Sequence, residues 1–173
     1  MKIEKPPKFR ISMAANVDDI RAAQRLRYDV FVSELGSDGS LIDHDLQLEQ
    51  DRFDPFVDHI LLHDDAAGDV VGVYRLMRPD MALAAGQYYS QDEYDLSPLL
   101  RSGGKLLELG RSCLRPEYRG GTAMFYLWNA LAQYVSDHQI ELMFGVASFH
   151  GTDVAELAAP LSLLHHRHLA PET

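Results

Sequence analysis

Fifteen residues, Leu107 to Gly121, concentrate the groups of this chain that could do chemistry. An apolar run carries Glu108 and Arg111, Pro116 interrupts it, and Gly120 and Gly121 lead into a helical pattern. A strand core tolerates a carboxylate and a guanidinium only when they pair or take part in a reaction. A Gly-rich turn opening a helix presents free backbone N–H groups, which suit an anion such as phosphate. The combination implies a phosphate-bearing arm held beside a polar reaction centre, the outline of an acyltransferase.

The elements that must position these groups follow from periodicity. Phe9 to Met13 predicts a first strand, and Asn16 caps a helix from Val17 to Leu35 that Gly36 ends. Residues 37–55 are polar and turn-rich. Phe56 to His63 and Val70 to Met77 predict strands joined by a hairpin, and residues 79–104 an irregular excursion. Lys105 to Leu114 is the central strand. A helix from Arg119 to His138 is expected to bury Met124, Leu127, Trp128, Leu131 and Val135. Glu141 to Phe149 reads as a strand covered on both faces, and a last helix spans Asp153 to Leu164. The order β-α-β-β-β-α-β-α implies one α/β domain over residues 1–173, with a mixed central sheet flanked by helices. The stretch from His165 to Thr173 reads as the lead-in to another element.

Composition narrows the function. At 173 residues, 46% hydrophobic and 24% charged, the chain can bury a sizeable core. A net charge of −10 excludes non-specific nucleic-acid binding. Residues 41–65 hold eight acids against one arginine, either a solvated loop or a cup for a cationic substrate. The basic start, Met1 to Arg10, has no apolar run behind it, and no segment is long enough to span a bilayer. The lone Cys113 suits a reducing compartment, so a cytoplasmic protein is expected. His44, His59, His63, His165, His166 and His168 show no ordered ligand spacing, so no metal is expected. His150 is read as ordering a turn.

Five segments in order carry a family resemblance over about Arg21 to Pro171. They are Arg27-Tyr28-Asp29-Val30-Phe31, Glu49-Gln50-Asp51-Arg52-Phe53-Asp54 with His59, Gly72-Val73-Tyr74-Arg75-Leu76-Met77, Glu108-Leu109-Gly110-Arg111-Ser112-Cys113, and Phe144 to Asp153. The chain resembles GNAT acyltransferases of the acyl-carrier-protein-dependent branch, above all L-ornithine N-alpha-acyltransferases, and more distantly acyl-homoserine-lactone synthases. Those synthases usually carry tryptophan where Ser37 stands. The glycine loop of ordinary GNAT enzymes is reduced here to Arg119-Gly120-Gly121-Thr122-Ala123, which fits a carrier-borne phosphopantetheine better than coenzyme A. Family members usually continue further, with additional strands closing the sheet.

The resemblance implies transfer of a 3-hydroxyacyl chain from acyl carrier protein to the α-amino group of L-ornithine, with no cofactor beyond the acyl-phosphopantetheine donor. Transient association with the inner membrane surface is expected of an enzyme making an amphiphile. The alternatives are a lactone synthase and an inactive carrier-binding module. Glu108 is the candidate base; its alternative is a salt bridge with Arg111 or Arg75. Three residues apart, Glu108 and Arg111 would point to opposite faces of a regular strand, so a bulge is predicted near Gly110. Arg27 is expected to close an ion network with Asp51 or Asp54, the alternative being that these acids cap or solvate their own loop; Arg75 and Arg111 complete the catalytic candidates. Arg115, Arg119, Gly120, Gly121 and Cys113 are the donor-side candidates, with Cys113 read as a small core residue, not a nucleophile. Lys105, Arg78 and Arg101 would add a basic rim for the carrier protein.

Overall fold

The computed structural model describes residues 6–39, 41–149 and 151–170. Five strands form the main sheet: β1 (Phe9–Met13), β4 (Asp58–Asp64), β5 (Asp69–Met77), β6 (Leu106–Leu114) and β7 (Leu142–Phe144), in that order across it. The first four are antiparallel to their neighbours, and β7 runs parallel to β6, so the sheet is mixed. A small hairpin, β2 (Ile42–Asp43) with β3 (Leu48–Glu49), folds within the acidic connection.

Side-chain alternation along β4 sends neighbours to opposite faces. Ile60 and Leu62 meet Leu127 and Leu131 of α4 (Ala123–His138), while Leu61 meets Ala23 and Leu26 of α1 (Val17–Arg27). Gly72 lets α4 approach closely: a Cβ there would lie 2.6 Å from Leu114 Cδ2 and 3.2 Å from Leu127 Cδ1. At the start of α1 the Asn16 side chain accepts from the amides of Asp18 and Asp19, as its type predicts.

Several elements depart from expectation. The first helix does not run unbroken to Leu35; α1 gives way to a π-helical segment, Tyr28–Glu34, at the point where Arg27 turns into the interior. Such widened turns often accompany functional sites. Gly36 then closes the segment with φ +72°. The excursion after β5 holds α2 (Pro79–Ala85), a 3-10 turn (Tyr89–Asp92) and α3 (Ser97–Arg101). Helix α4 starts only at Ala123, because Pro116–Tyr118 forms a 3-10 turn and Gly120 adopts φ +74°. Its buried face is Ala123, Leu127, Leu131 and Tyr134, which leaves Met124 and Trp128 exposed.

The covered strand expected over Glu141–Phe149 is confined to β7, with Leu142 and Met143 exposed. Only three of its residues pair with β6, and it lies at the edge of the sheet. Asp153 caps α5 (Val154–His168), which includes His165 to His168 and buries none of its side chains. His150 and Pro171 to Thr173 lie outside the described residues, as do Met1 to Lys5. No described helix is long and apolar enough to cross a membrane.

Candidate functional site

Between α1, the acidic connection and strands β5 and β6 lies a layer of three arginines and three acids. Arg27, fully buried on α1, donates from Nε to Glu49 at 2.5 Å and from Nη1 and Nη2 to both oxygens of Asp54 at 2.8 Å. Its Nη2 also reaches the Glu49 carbonyl at 2.6 Å. Arg75 on β5 donates to Asp51 at 2.5 Å and to Asp54 at 3.1 Å. Arg111 on β6 makes ion pairs with Glu49 at 3.2 Å and Asp51 at 3.5 Å. Formal charges cancel within these six residues, and Gln24 satisfies a further Asp54 lone pair at 2.9 Å.

Burial alone would raise the Asp54 carboxyl; the bonds and charge of Arg27, with Gln24 and Arg75, hold it well below the usual carboxylate range. Burial likewise lowers His59, whose Nε2 faces the Asp54 carbonyl at 3.4 Å and whose Nδ1 has no partner among the described residues. Arg27 thus pairs with Asp54 as expected, Asp51 is bonded by Arg75 instead, and Glu49, named only as part of a motif, joins the network.

The predicted bulge is also present. Between Val73–Arg75 on β5 and Cys113–Gly110 on β6 the register slips by one residue, and Arg111 takes φ +49°. That left-handed backbone turns Arg111 toward the acids of the connection. Glu108, however, pairs with neither Arg111 nor Arg75. Its Oε1 accepts from the Ser90 amide at 2.7 Å and the Ser90 hydroxyl at 2.5 Å, and its Oε2 accepts from the Tyr89 amide at 2.8 Å. The free donors at the start of the 3-10 turn thus fix the carboxylate, and the salt-bridge alternative is corrected. Oε1 has two donors, while Oε2 has one and keeps a lone pair available.

Glu108 lines a cleft of about 230 Å³ with Arg75, Met77, Tyr89, Leu109 and Gly110. Beyond Glu108, β6 has no strand partner on its β7 side among the described residues. Gly145 still lies against the Leu109 backbone, where any Cβ would collide with the Leu109 carbonyl. Tyr88 sits behind the cleft against Phe144, ring centroids 5.2 Å apart. Its buried hydroxyl has no partner among the described residues, and burial beside the Glu108 charge pushes it up to about 12. Tyr88, Tyr89 and Ser90 were not foreseen: they lie where the chain shows no periodicity, and their only signal is local turn composition.

On the donor side the candidates are more dispersed. Arg119 is engaged by Glu34 at 2.6 and 2.7 Å and bonds to the Leu114 carbonyl. Arg115 is held loosely, by Asp69 at 3.8 Å and Asp29 at 4.0 Å, with its Nε unpartnered among the described residues. Gly120 and Gly121 lie in the turn before α4, not in its first turn. Cys113 packs with Ala23, Leu26 and Val73, and burial pushes its thiol up to about 12, which suits a core residue. In the proposed basic rim, Arg78 is tied to Asp58 at 2.8 Å, while Lys105 bonds to Gln139 at the surface. The described residues contain no group of three or more His, Cys, Asp or Glu arranged to hold a metal ion.

Comparison with known proteins places these features. Residues 26–129 match the acetyltransferase (GNAT) domain model. The chain is 57% identical over 172 residues to an L-ornithine N(alpha)-acyltransferase of Rhodobacter capsulatus, covering 96% of this chain and 66% of that protein. It is 46% identical over 165 residues to the Brucella abortus protein of the same name, covering 91% and 59%. The chain thus spans about three fifths to two thirds of those relatives. Among solved structures, an N-acyl amino acid synthase from uncultured soil microbes, FeeM, superposes with a TM-score of 0.62 at 14% identity, covering 91% of this chain and 78% of that one. The acyl-homoserine-lactone synthase LasI superposes with 0.58 at 19% identity, covering 90% and 78%. These two likenesses establish the fold.

Proposed function

Because this chain belongs to the acetyltransferase (GNAT) domain family, we propose that it forms the catalytic part of an L-ornithine N-alpha-acyltransferase. The enzyme moves a 3-hydroxyacyl chain from acyl carrier protein to the α-amino group of L-ornithine. The observation that carries this reading is Glu108, a buried carboxylate held by three donors and lining a small cleft. The names of its curated relatives support ornithine as the acceptor.

Each group then has a task. Glu108 Oε2 takes the proton of the α-ammonium, directly or through a water, so that the amine can attack the thioester carbonyl. The N–H groups of β6 freed by the bulge receive the developing oxyanion. Attack forms the C–N bond; collapse of the tetrahedral intermediate then breaks the C–S bond, the second proton of the nitrogen goes to the departing thiolate, and the proton held by Glu108 is released to water. The six-residue ionic layer reacts with nothing; it fixes α1, β5, β6 and the acidic connection relative to one another. Phosphopantetheine on acyl carrier protein is the donor, its phosphate near Arg115 and the N–H groups of Gly120 and Gly121, and no resident cofactor is needed. The lyso-ornithine lipid formed is amphiphilic, so the enzyme works in transient association with the inner membrane surface.

Mass spectrometry of products tests the proposal. Purified protein is given 3-hydroxyacyl carrier protein, a mixture of amino acids and S-adenosylmethionine. The α-N-acylornithine mass is expected. An acylhomoserine lactone, or acylation of another amino acid in preference, would contradict it.

A further inference from the structure

An amino acid acceptor brings a carboxylate as well as an amine, and one cation beside the cleft is under-used. All three Arg27 guanidinium nitrogens are bonded to acids, and Arg75 Nη1 serves two carboxylates. Arg111 differs. Its contacts with Glu49 and Asp51 leave Nε buried without an aligned acceptor among the described residues, and a quarter of its side chain is exposed. Its left-handed backbone is disfavoured for a non-glycine residue and persists only where the surroundings impose it. The Arg111 guanidinium carbon lies 4.9 Å from the Tyr89 ring centroid, and Arg75 lies 5.4 Å from the same ring. The Tyr89 ring thus lies against Arg111, while the Tyr89 amide bonds to Glu108.

We propose that the Arg111 guanidinium and the Tyr89 hydroxyl form a subsite for the α-carboxylate of the acceptor. This rests on the acceptor being an amino acid, as inferred above. In such a substrate one carbon separates amine from carboxylate, so the anion-binding group must adjoin the base. Tyr89 supplies that adjacency, with its main chain on Glu108 and its ring against Arg111. Charge agrees: the neutral six-residue layer plus Glu108 sums to −1, and ornithine with two ammonium groups and one carboxylate is +1.

Calorimetric titration of the full chain with L-ornithine and with 1,4-diaminobutane, its decarboxylated counterpart, tests the subsite. The wild type should bind ornithine about 10–100-fold more tightly, as expected of charge-assisted hydrogen bonds. In Arg111→Gln the ratio should fall to near one through loss of ornithine affinity, and Arg111→Lys should restore part of it. Tyr89→Phe, which leaves the acid layer intact, should reduce the ratio by a smaller factor. A wild-type ratio near one would overturn the subsite, as would variants that weaken both ligands equally. A wild type that binds another amino acid but not ornithine, with the same Arg111 dependence, would uphold the subsite and remove ornithine as acceptor. Binding of no amino acid would overturn both inferences.

Discussion

Arg27, Arg75 and Arg111 meet three acids beneath the cleft, whereas Arg115 and Arg119 meet three acids at the surface beyond the far end of β6. The residue types are the same and the physics is not. In the inner cluster Arg27 and Asp54 are 0% and 3% exposed at the side chain; in the outer one Arg119 and Glu34 are 41% and 33% exposed. Removing one member of a buried pair strands its partner's charge in a poor solvent for it, whereas water replaces a lost partner at the surface. Arg27 and its acids therefore act as a scaffold, and the outer arginines can exchange their acids for a phosphate.

The strongest attempt to break this contrast is Arg27→Gln. It should cost about 3–5 kcal/mol in urea unfolding, because Glu49 and Asp54 lose their main partner while still buried. A cost below about 1 kcal/mol would place the inner pair on the footing of a surface one.

Acid should act in the same direction. Asp54 is depressed in the fold, so its contribution is complete above the ordinary aspartate value of about 4 and is lost as pH falls below that. His59 is depressed too, so its stabilisation is complete above the ordinary histidine value of about 6.5 and declines below it. Thermal unfolding between pH 8 and pH 3 should show stability falling with acid in both windows. A stability that rises on acidification would contradict the assignment.

Gly120→Ala should cost about 1 kcal/mol through its left-handed backbone, since nothing crowds a Cβ there. Its larger effect should be a weaker affinity for the carrier-borne donor. Smallest of all, Arg119→Gln should leave thermal stability unchanged within error, as exposed pairs often do, while weakening donor binding most at low salt. A clear loss of stability would mean that the outer cluster is also a scaffold.

How much of this is legible in the chain depends on distance along it. The β4–β5 hairpin and the Asn16 cap rest on local alternation and turn chemistry, and both are where periodicity puts them. The bulge follows from a three-residue spacing that a flat strand cannot reconcile. The hold on Glu108 was not legible: its donors come from a 3-10 turn 18 and 19 residues earlier, in a segment without periodic signal. Nor was the Glu34 pair with Arg119, 85 residues apart. The face of α4 was misjudged because Met124 and Trp128 are apolar but flank the stripe that Ala123, Leu127 and Leu131 set against the sheet. Hydropathy ranks large residues above alanine, whereas close packing against a sheet favours the small one.

The most direct test of the central claim is the rate of α-N-acylornithine formation by Glu108→Gln, measured on protein whose unfolding curve matches the wild type. Glutamine keeps the shape, and an acceptor oxygen for the Tyr89–Ser90 turn, but cannot take the proton. A fall in kcat of about 10²–10⁴-fold with the ornithine KM little changed is predicted. A variant that folds and turns over ornithine at the wild-type rate would show that Glu108 only anchors the turn, and that the base lies elsewhere.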